Sequence, residues 1–336
     1  MKWLILFFLF GCTQVTSLNL RKHQFGLLPT KIIWFQVAGL EEEQISLLRF
    51  NDTGEKRTSF EDNICFGQTW NYNLYEIRPP AESSFLSQLT GKKNIKSTCE
   101  DANLRPIWGY IAPSGYSTLI LESGARGSQS LQFFKGCSDE GRDFLKDLYF
   151  VLRAQPKASA LTFHYAENFK LVTNEPIFDR TCSEMSCNSS LLEDFKAVYP
   201  KFYKTSPKHM MIIRDFSYLN SLERKDFPRA KEILNDLERT YREALRLTES
   251  SDYLVLLSTG DSRFIDMPDK GKRWFEFEKF NKNISIKRTK LTNLVLASGA
   301  RAENFCGMYE DSQIFERILS GPKQQGLELK IINPFK

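Results

Sequence analysis

The chain has 336 residues, 41% of them hydrophobic and 26% charged, enough for one large core or two domains, which excludes a peptide, a fibre or a disordered tail. Its 46 basic and 41 acidic residues are spread along the sequence, and a formal charge of +5 without a basic patch or tail argues against a nucleic-acid partner. A mean hydropathy of -0.38, with one apolar run at the very start, leaves no internal membrane span.

Residues 1–11 read as a short export signal, with Lys2 as its positive end and an apolar run from Trp3 to Phe10 that falls far short of the roughly 20 residues a bilayer requires. The run closes on Leu9-Phe10-Gly11-Cys12, which resembles the lipobox of bacterial lipoproteins. Cys12 is therefore the expected lipid-attachment site, tethering the protein to a membrane without spanning it; an ordinary signal peptide cut nearby, or a buried strand, is the alternative. Residues 12–30 form the expected tether, and residues 31–336 one domain. Besides Cys12 the chain holds Cys65, Cys99, Cys137, Cys182, Cys187 and Cys306. An even set in an exported chain predicts disulfides, with on the order of 15 possible pairings. Only Cys182–Cys187 is close enough in sequence to be predicted, as a small loop staple. Zinc ligation is the weaker rival, for want of paired C-x-x-C spacing or a neighbouring histidine.

Compact apolar runs follow at residues 31–39, 117–121, 210–213, 253–257 and 294–297. Continuous rather than alternating hydrophobicity predicts strands covered on both faces. The clearest helix spans 227–247, where Ala230, Ile233, Leu234, Leu237, Tyr241, Ala244 and Leu245 recur at three- and four-residue spacing behind Asp226 as cap and Pro228. A second is predicted at 312–319, and Glu41, Glu42 and Glu43 read as a first helical turn, where the dipole favours acidic residues. Strands alternating with helices predict a three-layer α/β/α sandwich around a mainly parallel sheet. The aromatic stretch Trp70-Asn71-Tyr72-Asn73-Leu74-Tyr75 reads either as a sugar- or peptide-contacting loop or, preferred here, as packing around Cys65.

Certain segments stand in a telling order. The first strand ends at Gly39; then come Ser87-Gln88-Leu89-Thr90-Gly91, Ser114-Gly115-Tyr116-Ser117-Thr118-Leu119-Ile120, a strand opening into Gly260-Asp261-Ser262, and finally Ala300-Arg301-Ala302-Glu303-Asn304-Phe305-Cys306-Gly307. Together they resemble the alkaline phosphatase and sulfatase superfamily. The resemblance implies an α/β/α domain whose metal ions and Ser, Thr or modified Cys nucleophile sit at the carboxyl ends of the strands and hydrolyse phosphate or sulfate esters. That chemistry needs carboxylates and imidazoles around one or two divalent ions, which neutralise the ester oxygens and lower the nucleophile's pKa.

Position by position, those groups are missing. Where the resemblance implies an aspartate ligand before Gly39 stands Ala38; where it implies a nucleophile stands Ala81; where it implies a lysine against sulfate stands Ser123. Asp261 persists without the following histidine, and Arg288 replaces the histidine before Thr289, a group that binds an anion but repels a cation. Ser83 and Ser84 near Ala81 read as helix caps. Of the histidines, His23 falls in the tether, and His164 and His209 read as core residues.

The expectation is an exported, lipid-anchored protein of the bacterial cell envelope that keeps the hydrolase scaffold, has lost its metal centre, needs no cofactor, and binds a protein or glycan ligand. The alternative is a divergent hydrolase with a rebuilt site, taking zinc, calcium or magnesium on Asp215, Asp261 and Asp266, with Thr69, Ser83 or Ser84 as nucleophile.

Overall fold

The computed structural model describes residues 29–45, 57–153, 169–178 and 190–319, apart from positions 138, 251, 267, 269, 281, 289 and 290. Cys12, Cys182, Cys187, His23 and His164 lie outside the described residues. The strands are β1 (Lys31–Ala38), β2 (Cys65–Trp70), β3 (Ser117–Ser123), β4 (Leu148–Leu152), β5 (Pro176–Phe178), β6 (His209–Asp215), β7 (Tyr253–Gly260), β8 (Phe264–Asp266), β9 (Ser285–Lys287), β10 (Thr292–Gly299) and β11 (Gly307–Glu310). The helices are α1 (Ala81–Thr90), α2 (Ile107–Ile111), α3 (Asp139–Phe144), α4 (Leu191–Thr205), α5 (Ser217–Glu223), α6 (Phe227–Arg246), α7 (Gly271–Phe280) and α8 (Gln313–Leu319).

Nine strands make one sheet in the order β11-β2-β10-β7-β1-β6-β3-β4-β5. β10 pairs antiparallel with both β7 and β2, and every other pairing is parallel, so β10 alone runs against the rest of this sheet. All five predicted strands are present as β1, β3, β6, β7 and β10, and every one is central to the sheet. Alternation along β1 divides the interior. Ile33, Phe35 and Val37 join a core with α4, α5 and α6, while Ile32 and Trp34 join another with α1, α2 and α8. Helices thus cover both faces, the layered α/β architecture expected.

The predicted helix at 227–247 is α6, capped by Asp226, whose carboxylate accepts from the Arg229 N–H at 3.2 Å. A helix also starts at Glu42. His209 opens β6 at the far end of the sheet from the strand termini discussed below; its Nδ1 donates to the Ser206 carbonyl at 2.9 Å and its Nε2 accepts from the Tyr199 hydroxyl at 3.0 Å, the role of a core histidine.

Two disulfides, Cys65–Cys306 and Cys99–Cys137, close within the described residues. Both are of the kind that forms in an oxidising compartment, which points to an extracytoplasmic protein. Among the described residues no helix is long and apolar enough to cross a membrane.

Candidate functional site

Because the sheet is almost wholly parallel, the ends of β1, β3, β6, β7, β2 and β11 and the start of β10 come together at one edge. The registers fix this: Ala38 lies beside Gly260, Val37 and Ser123 beside Asp215, and Trp70 beside both Thr292 and Glu310. This carboxyl edge is where open α/β sheets bind ligands.

Its centre is apolar. Ala38 at the end of β1 and Ala81 at the first turn of α1 are fully buried with Phe85, Phe216 and Leu219 in one cluster, and Ala125 packs against it. The Phe85 and Phe216 rings meet edge to face, 5.5 Å between centroids. Two glycines make room: a Cβ on Gly260 would stand 2.8 Å from the Phe85 ring, and one on Gly39, at φ +84°, would stand 3.1 Å from the Leu219 side chain. The two places where the sequence resemblance implies a ligand and a nucleophile are therefore filled by hydrocarbon.

Around this plug, carboxylates are held by guanidinium groups. Glu122 and Arg214, neighbours on β3 and β6, form a buried ion pair, and Glu122 also accepts from the Leu131 N–H at 2.9 Å and the Ser130 hydroxyl at 2.6 Å. Asp261 is gripped by Arg263 and Arg288, each at 2.7 Å; Arg263 also reaches Glu223, and Arg288 donates to the Arg78 carbonyl. Burial pushes the Asp261 carboxyl above its ordinary range, against the pull of the two arginines. Arg288, proposed from the sequence as an anion site, thus already has a carboxylate partner. Arg153 pairs with Asp194 and donates to the Ser123 hydroxyl at 3.1 Å.

The predicted ligand trio does not form a cluster. Asp215 is buried, accepts from the Tyr218 N–H at 3.1 Å and bonds the Ser123 and Ser217 hydroxyls, with burial raising its carboxyl. Asp266 does not lie at the end of a main-sheet strand; it ends β8 in a separate two-stranded hairpin with β9, half exposed and paired to Lys287 at 2.8 Å. Among the described residues no three His, Cys, Asp or Glu side chains are grouped to hold a metal ion, and the residues at the strand ends do not fit one.

The hydroxyl candidates are enclosed. Ser83 and Ser84 lie inside α1 rather than capping it, Pro80 being the cap residue. Ser83 bonds Ser97 at 2.6 Å. Thr69 donates to the carboxylate of Asp311, which also accepts from Asn293 at 3.0 Å. Thr69 with Asp311 has the form of a nucleophile and base, yet Thr69 is 0% and Asp311 3% exposed, so no substrate reaches either.

Burial, the largest influence on Asp311, pushes its carboxyl up to about 7, with the hydrogen bonds from Thr69 and Asn293 among the opposing influences. The folded state thus favours the protonated acid. Its stabilisation is complete below the ordinary aspartate range and is lost as pH rises through about 7. Asp311→Asn, a permanent mimic of the protonated form, is expected to gain in melting temperature relative to the parent as pH climbs from 5 to 8, read by calorimetry at half-unit steps; a constant difference would refute the assignment.

Sequence reading missed Glu122, Arg214, Phe85, Phe216 and Asp311. A signal existed for the first two: each is a charge inside an otherwise apolar strand, and a charge buried in a sheet requires a partner. It also misjudged the aromatic stretch after β2. Trp70 (39% exposed), Tyr72 and Tyr75 face solvent instead of packing around Cys65.

No protein-family model matches the chain. No curated protein matches it in sequence either. Solved structures do match its fold. An alkaline phosphatase from the Antarctic bacterium TAB5 superposes with a TM-score of 0.63 at 13% identity, covering 88% of this chain and 98% of that one. A cold-active alkaline phosphatase from Shewanella sp. gives 0.65 at 11% identity, over 86% and 98%. The Thermus thermophilus alkaline phosphatase gives 0.65 at 9% identity, over 91% and 94%. The chain therefore has the alkaline-phosphatase-like fold, along nearly the whole length of these enzymes.

Proposed function

We propose that this protein is an exported, lipid-anchored member of the alkaline phosphatase and sulfatase superfamily that no longer hydrolyses esters with metal ions and instead acts as a binding or scaffolding protein in the cell envelope. The reading rests on the plug of Ala38, Ala81, Phe85, Phe216 and Leu219 at the carboxyl edge. A divalent ion needs several oxygen or nitrogen donors converging within about 2.0–2.6 Å. Here Glu122 and Asp261 are committed to arginines, which supply the positive charge without an open coordination site. The disulfides and the sequence of residues 1–12 support export and anchoring.

Protein purified from an oxidising compartment is expected to carry no stoichiometric zinc, calcium or magnesium by elemental analysis. It is expected to leave p-nitrophenyl phosphate and p-nitrophenyl sulfate intact when each ion is added. One ion per chain, or turnover that a chelator abolishes, would establish the rebuilt hydrolase instead.

A further inference from the structure

Beside the plug, on the same edge of the sheet, the chain following β2 forms a cavity of about 630 Å³ walled by Trp70, Tyr72, Tyr75 and Leu291, with Glu310 at its side. Its volume lies in the range of small-molecule sites, roughly 300–1,000 Å³. The rings are exposed by construction. The buried Asn73 carboxamide accepts from the N–H groups of Tyr75 (2.8 Å) and Glu76 (2.7 Å), and Leu74 N–H donates to the Lys93 carbonyl at 3.0 Å, so the loop is pinned with its aromatic faces outward. A pre-ordered cluster of solvent-facing aromatics marks a contact surface.

The polar groups narrow the ligand. Lys93 pairs with Glu310 at 2.5 Å and donates to the Tyr72 hydroxyl at 3.0 Å, while that hydroxyl donates to Glu310 at 3.0 Å. The lysine ammonium also stands 4.1 Å over the Tyr72 ring. Lys93 compensates Glu310 from outside the lining, and Glu76 adds a further carboxylate at the wall, so an anionic ligand meets repulsion. A sugar suits such a pocket: its C–H face lies flat on an aromatic ring, and its hydroxyls both donate and accept at the rim.

We propose that this cavity binds an uncharged oligosaccharide, stacked on Trp70 and Tyr75 and hydrogen-bonded at Glu310, Glu76 and the Tyr72 hydroxyl. The proposal rests on the binding role above and names its ligand class; it fails separately, because glycan binding by a protein that also hydrolyses esters would overturn the loss of catalysis and leave the pocket standing. The test is to apply the full purified chain to an array of neutral, sialylated and sulfated glycans, then titrate the strongest neutral glycan in solution by tryptophan fluorescence and calorimetry. Retention on neutral glycans is expected, with Trp70→Ala and Tyr75→Ala each weakening the solution affinity about tenfold or more. Phe66→Ala, an exposed site on the same strand outside the cavity, should bind as the parent does, and unchanged melting temperatures would show that the variants are folded. Retention on no neutral glycan, retention only on acidic ones, or affinity indifferent to both substitutions overturns the proposal.

Discussion

Ala38→Asp, which places at the end of β1 the carboxylate that the sequence resemblance implies for a metal centre, is expected to cost about 3–5 kcal/mol of stability and to leave zinc binding at background. The reason lies in what surrounds the position. Ala38 is 0% exposed, and its companions Ala81, Phe85, Phe216 and Leu219 offer no donor to a carboxylate. An ionised group there loses its water and gains nothing in exchange. The neutral overpacking control, Ala38→Val, should cost about 1–3 kcal/mol, separating volume from charge. The charge component also carries a pH signature. An unpaired buried aspartate has a raised pKa, so its deficit relative to the valine variant should shrink as pH falls toward 4 and grow as pH rises above it. Urea denaturation at pH 4 and 7.5, with elemental analysis of the dialysed variant, reads both effects. A folded Ala38→Asp protein holding one zinc ion per chain would show that a single lost ligand, and not the plug, separates this site from a hydrolase centre.

How much of this was legible beforehand follows from how local each determinant is. The five central strands are buried on both faces, which forces continuous apolar runs, and those runs can be read from residues close together in the chain. β2 was missed because it lies next to the sheet edge and its burial alternates, with Phe66 and Trp70 turned outward. Ala38 and Ala81 could be singled out because each is anchored to a neighbouring glycine or Leu-Thr-Gly segment of the resemblance. What packs around them could not. Phe85 and Phe216 meet across 131 positions and carry no periodicity that announces the contact. Cys65–Cys306 spans 241 positions and is brought together by the packing of the β2 and β11 region, so proximity in sequence pointed only to Cys182 and Cys187. Asp266 misled for the converse reason: it ends a short strand, but that strand belongs to a hairpin outside the main sheet.

Arg214→Met is expected to destabilise the protein by about 3–5 kcal/mol, and Arg214→Met combined with Glu122→Gln to recover at least half of that loss. Arg214 is 1% and Glu122 2% exposed, so removing the guanidinium strands a carboxylate in the interior. Glutamine's carbonyl oxygen keeps an acceptor for the Leu131 N–H and its amide N–H donates to the Ser130 hydroxyl, while the charge that has lost its counterpart is removed. The guanidinium also stands 5.4 Å from the Phe216 ring and 5.9 Å from the Phe85 ring, and a methionine of similar length keeps much of that packing. A double-mutant cycle by urea unfolding measures the coupling; single effects that simply add would mean that the pair is incidental. Strong coupling would have a consequence for the whole carboxyl edge. An ester hydrolase on this scaffold needs a mobile divalent cation to neutralise its carboxylates, whereas here covalently attached guanidinium groups do so permanently at Glu122 and Asp261. The interior charge of Glu122 and Asp261 is then balanced by the chain's own arginines.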